Sequence, residues 1–146
     1  MIRANEKMIK IIASNPFRGY VPVELMHILD AGISEMKDSI FLNFFYKANP
    51  HLKESDFQDK THYECFINGF YVNDYCRKNG MKYLFPFINK LKKVINKNCK
   101  DSPVIIIVSI NKDDIHVTFH KQHFGEPKWI EENQIDGNKD AVLIWT

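Results

Sequence analysis

The stretch from Pro103 to Thr146 constrains the fold most. It opens with Val104-Ile105-Ile106-Ile107-Val108-Ser109-Ile110, crosses Asn111-Lys112-Asp113-Asp114 and resumes as Ile115-His116-Val117-Thr118-Phe119-His120. It breaks at Gly125-Glu126-Pro127, passes Trp129-Ile130-Glu131-Glu132 and closes on Ala141-Val142-Leu143-Ile144-Trp145. Short runs of β-branched and aromatic residues separated by turn residues predict strands. The first two runs read as a hairpin with an acidic turn, the last as a further strand of the same sheet.

Upstream, helical patterns dominate. Lys7 to Ala13 reads as a short helix or strand, ended by Asn15-Pro16, because the residue before proline avoids helical backbone. Arg18-Gly19-Tyr20 reads as a connection. Pro22 suits a helix start, and Leu25, Ile28, Leu29, Ile33 and Met36 then recur at helical spacing, with Gly32 serving close packing. Ile40, Phe41, Phe44 and Phe45 continue a helical face over Ser39 to Tyr46, although the aromatic density there also suits a strand; helix is the preferred reading, and His51 to Thr61 reads as a polar loop with a turn near Lys53 to Phe57. Asn68-Gly69 between His62–Ile67 and Phe70–Val72 is a hairpin signal; one strand with a glycine bulge is the alternative. After the Asn79-Gly80 turn, Leu84, Phe87, Ile88, Leu91 and Ile95 fall on one face of a helix that has Pro86 near its first turn. Lys82, Asn89, Lys90, Lys93 and Lys97 fall largely on the other. The 146 residues fit a single domain over 1–146. The order of elements predicts an α+β fold, with helices packed on one face of a mainly antiparallel sheet.

Charge is nearly balanced at +2 but unevenly placed. Arg77 to Lys100 holds eight basic residues and no acidic one, whereas Asp101 to Thr146 holds eight acidic residues against four lysines. A basic side and an acidic side are able to steer a charged partner. Cys65, Cys76 and Cys99 are odd in number and form no CxxC pair, which argues against a secreted disulfide framework and for reduced thiols in cytoplasm. The first residues lack the apolar core of a signal peptide, and no apolar run approaches the roughly 20 residues that cross a bilayer.

Catalytic patterns are weak. His62-x-Glu64 lacks the downstream Pro-Cys-x-x-Cys that completes a deaminase zinc site. His116 and His120 share a strand face but lie roughly 13 Å apart at strand rise, too far to chelate one metal. No phosphate loop or nucleophile elbow occurs. These readings predict no enzyme, no metal and no cofactor. Glu126, Trp129, Glu131, Glu132 and Asp136 instead suit a contact surface, an aromatic anchor with an acidic rim.

Phe119-His120-Lys121, Gly125-Glu126, Trp129-Ile130, Glu131-Glu132 and the Ala141-Val142-Leu143-Ile144 end resemble bacterial immunity proteins of contact-dependent growth inhibition and related polymorphic toxin systems. The resemblance covers about a third of the chain. It implies a cytoplasmic, non-catalytic protein that binds a cognate toxin C-terminal domain, often a nuclease, and occludes its active site. Immunity proteins to nucleases are frequently acidic overall; here only the C-terminal third carries that charge. The alternative function is a small nucleic-acid-binding module using Lys82, Lys90, Lys93 and Lys97, with Tyr83 and Phe85 nearby to stack on bases. The balanced net charge speaks against direct nucleic-acid binding.

Overall fold

The computed structural model describes residues 1–17, 19–76 and 78–146. Arg18, part of the expected connection, and Arg77, the start of the basic run, lie outside the described residues.

The C-terminal third forms the centre of a sheet. β5 (Val104–Asn111) and β6 (Asp114–Lys121) make the expected hairpin, with Val108 opposite Val117. Lys112 takes φ 56° in the tight turn between them. β7 (Ala141–Trp145) pairs with the other side of β5. Two short strands extend the sheet: β1 (Ile2–Ala4) beside β7 and β4 (Phe70–Tyr71) beside β6. The order is β1-β7-β5-β6-β4, and every pairing is antiparallel.

β5 reads as one apolar run because both of its faces are covered. Val104, Ile106, Val108 and Ile110 face the main core, where the helices pack. Ile105 and Ile107 join Val142 and Ile144 on the other face, under Ile130 and Ile135 of the irregular segment between β6 and β7. Asn5 fastens that segment. It caps α1 (Glu6–Ser14) by accepting from the Met8 N–H, accepts from the Val142 N–H, and donates to the Ile135 and Asp140 carbonyls.

The helical half departs from expectation in three places. α2 (Val23–Asp30) stops early, because Gly32 at φ 84° ends it. Ile33 and Met36 continue the helical spacing but belong to β2 (Ile33–Met36), which pairs with β3 (Ser39–Leu42) in a separate hairpin. Ser39 to Tyr46 is therefore a strand followed by the single turn α3 (Asn43–Tyr46), not one helix. The third departure is the largest. His62 to Asn68 is neither hairpin arm nor bulged strand but α4 (Lys60–Asn68), capped by the Asp59 side chain on the His62 N–H. Gly69 has φ −82°, so no mirror-image turn exists there. Its role is clearance: a Cβ at Gly69 would sit 2.7 Å from the Cys65 carbonyl oxygen.

α5 (Gly80–Asn98) matches the predicted amphipathic helix and buries Leu84, Phe87, Ile88, Leu91 and Ile95. Pro86 lies inside it, in the second turn. Its N-cap, Asn79, takes a left-handed backbone at φ 57°. Among the described residues, no helix is long and apolar enough to cross a membrane.

Candidate functional site

α4 joins the two sheets through polar side chains. Glu64 and Asn68 are four residues apart and so share a helix face; both are fully buried. That face lies between the outer edge of β3 and the end of β6, where backbone groups have no neighbouring strand. Asn68 donates to the Ile40 and Phe119 carbonyls and accepts from the Leu42 N–H. One Glu64 oxygen accepts from the Ile40 and Lys121 N–H groups. Two side chains thus satisfy backbone that a strand would otherwise pair, as buried polar groups require.

The other Glu64 oxygen meets His123 Nε2. His123 Nδ1 lies 3.8 Å from Asp38, whose other oxygen is 3.0 Å from Lys121 Nζ. Lys121 also reaches Glu35 at 3.5 Å. Burial pushes the Glu64 carboxyl above its usual range, against the hydrogen bonds from His123 and the two N–H groups. Burial alone would lower His123, but the bond to Glu64 and its charge raise it. Asp38 is held low by the Lys121 hydrogen bond and charge. Carboxylates face both nitrogens of His123, so its ring is committed to pinning the β2–β3 hairpin onto the main sheet. That hairpin is strained: Lys37 and Asp38 take φ 49° and 70°, which bulky residues rarely adopt. Beside it, a cleft of about 510 Å³ opens between Lys37, Phe41, Tyr46, Lys53 and Tyr63. Ser39 borders this cleft, buried, with an unpartnered hydroxyl.

His62 and Glu64, joined in the sequence pattern, point to different sides of α4. The His62 ring lies against Asp59, whose carboxyl burial would raise but which the hydrogen bonds from His62 hold low. His116 and His120 share a face of β6 as expected. His116 packs on Tyr71 and His120 Nδ1 meets the Lys121 carbonyl; burial lowers both imidazoles. Among the described residues, no group of His, Cys, Asp or Glu is arranged to hold a metal.

The predicted contact residues separate into different roles. Glu126 is not a free acidic contact. Its carboxylate accepts from the Lys60 and Thr61 N–H groups and the Thr61 hydroxyl, at the N-terminus of α4. Glu132 pairs with Arg3 at 3.6 Å. Glu131 and Glu132 share a shallow depression with Lys128 of the same segment and Arg3 of β1, and these basic residues offset the acidic rim. Asp136 is exposed. Trp129 remains 43% exposed, its ring edge-on to His62 at 5.0 Å. One helical turn beyond His62, Phe66 is 60% exposed and packs on Phe57. Phe124 is fully exposed two residues before Glu126. Trp129, Phe66 and Phe124 thus emerge around α4 and its N-terminus. Only as a helix does this segment set Phe66 outside and Glu64 and Asn68 inside; in a strand all three would share one face.

The basic helix is also reshaped by tertiary structure. Lys90, Lys93 and Lys97 are exposed, Lys82 is half-buried, and Lys92 folds over the Trp145 ring at 5.8 Å. Two aromatic residues from the connection before α2 lie on it: Phe17 on Phe85 at 4.6 Å and Tyr20 on Tyr83 at 5.5 Å.

No solved structure matches the chain. An Uncharacterized protein PM0498 of Pasteurella multocida (strain Pm70) is 29% identical over 92 residues, covering 60% of this chain and 58% of that protein. A Probable ribonuclease 3 of Acanthamoeba polyphaga mimivirus is 36% identical over 107 residues, covering 70% of this chain and 17% of that protein. The chain thus spans less than two thirds of either relative. The model of the Uncharacterized protein PM0498 family matches residues 3–146, and with every helix and every strand but the first residue of β1 inside that span, the chain belongs to this family.

Proposed function

We propose that this protein is a cytoplasmic immunity protein, which binds the C-terminal domain of a cognate toxin of the nuclease class and occludes its active site. The observation that carries the reading is the exposed aromatic group of Trp129, Phe66 and Phe124 around α4. Large aromatic side chains left in water are the usual anchors of a protein interface. The seam beneath them, Glu64, Asn68 and His123, holds α4 rigid, which limits the ordering cost of association. Electrostatics contribute less than the sequence suggests, since Glu126 is used internally and Glu132 faces Arg3.

The test is co-expression with a toxin domain encoded beside its gene, with growth and complex formation on gel filtration as readouts. Growth rescue and a stoichiometric complex are expected. Trp129→Ala should weaken binding by about 2 kcal/mol, near thirtyfold, while leaving the fold intact. Failure to form a complex with that domain would refute the reading.

A second reading is favoured by one observation, the aromatic and lysine residues gathered on α5. It takes RNA as the partner, a class consistent with the relative named a probable ribonuclease.

A further inference from the structure

We propose that the cleft that Phe17 and Gly19 form with α5 binds single-stranded RNA, stacking bases on Phe17 and on the neighbouring Tyr20 and holding phosphates on Lys90, Lys93 and Lys97. The inference rests on the RNA reading above and names the strand form and the residues.

The placement is specific. Lys82, Pro86, Lys90, Lys93 and Lys97 recur at three- and four-residue spacing, so they run along one stripe of α5. Gly80 to Asn98 holds no acidic residue, so nothing on the helix neutralises that stripe. Phe17 lies across Phe85 at the start of it, with planes tilted by 56°. A cleft of about 410 Å³ opens there, lined by Phe17, Phe85, Pro86, Lys90 and Lys93. Phe17 is 43% exposed and Tyr20 is 60% exposed, although each rests on an aromatic ring of the helix. Each ring thus contacts an aromatic ring of the helix at a tilt and keeps much of its own surface in water, as a stacking platform needs. Aromatic faces beside a cationic track are how single strands are held without sequence preference. A duplex keeps its bases stacked on one another and offers such platforms only phosphates.

The experiment is fluorescence anisotropy with a labelled oligouridylate of about 12 nucleotides and a duplex of equal length, at about 50 mM salt. The single strand should bind more tightly than the duplex. Its log affinity should fall with log salt at a slope of about −2, from about −0.7 for each of the lysines 90, 93 and 97. Phe17→Ala and Tyr20→Ala should each weaken single-strand binding at least about fivefold and duplex binding little. Both positions are exposed, and circular dichroism checks that each variant folds. Equal binding of the two probes, or no change in either aromatic variant, would overturn the stacking cleft and leave the RNA reading standing. Binding of neither probe would overturn both. Trp129→Ala is the control that should leave RNA binding unchanged.

Discussion

Replacing Asn68 tests the polar seam most directly. Its side chain makes three hydrogen bonds to buried backbone: from the Leu42 N–H at 2.9 Å, and to the Ile40 and Phe119 carbonyls at 3.0 and 3.2 Å. Asn68→Ala leaves all three groups unpaired in a site without solvent access. At about 1 kcal/mol each, the low end for a buried group left unsatisfied, the loss is about 3 kcal/mol. For a chain of this size that lowers Tm by roughly 6–12 °C. Asn68→Asp is the sharper variant. It preserves volume and the acceptor for Leu42, but places an oxygen against two carbonyl oxygens. Protonating the new carboxyl restores one donor where two carbonyls wait, and burial penalises the charged form. Asn68→Asp should therefore destabilise at least as much as Asn68→Ala at neutral pH, and less in mild acid. Urea unfolding followed by circular dichroism measures both. If Asn68→Asp lies within about 0.5 kcal/mol of the parent at neutral pH, side-chain volume alone explains the position and the bridging argument is wrong.

Three further outcomes follow from the same geometry. Gly69→Ala drives a Cβ to 2.7 Å from the Cys65 carbonyl and should cost about 1–3 kcal/mol in urea unfolding; a neutral effect would mean that the backbone at the end of α4 can turn to relieve the contact. Lys37→Asn should stabilise by a few tenths to about 1 kcal/mol, because asparagine tolerates the left-handed turn at φ 49° and the lysine is exposed; a loss would show that Lys37 makes a contact of its own. Asp38 has a carboxyl held below the ordinary 3.8, so its bond to Lys121 contributes fully above that pH and is lost as pH falls through the lower folded value. The stability difference between the parent and Asp38→Asn should be flat at neutral pH and close below about 3.8; a difference that persists at lower pH would assign the effect to the turn backbone instead.

The C-terminal sheet and α5 were legible from residues alone, because each carries a pattern that its neighbours in sequence complete. The β5–β6 hairpin needs only two runs and a tight turn, and α5 needs only its own periodic face. α4 was not legible, because its sequence mixes polar and apolar residues for reasons that lie elsewhere. Glu64 and Asn68 are buried polar residues on a helix, which reads as a solvent face until β3 and β6 supply the backbone groups they bond. Asn68-Gly69 then carries a hairpin signal whose two residues serve other ends, one as a bridge and one as clearance. Similarly, Ile33 and Met36 continue a helical spacing that Gly32 has already ended.

The candidate surfaces divide the same way. Trp129 is a contact candidate in the sequence and is partly exposed in the structure, but Phe66 and Phe124 join it only through the docking of Glu126 on α4. The lysine stripe was visible in one helix, whereas its stacking partners Phe17 and Tyr20 come from a segment more than 60 residues earlier. Sequence by itself determined the elements whose hydrogen bonds and apolar faces are closed locally: the central hairpin, the amphipathic α5 and the α+β class. Tertiary structure alone decided which polar side chains are buried and which aromatic ones are left in water. Both outcomes depend on partners brought from distant positions, and no local pattern encodes those.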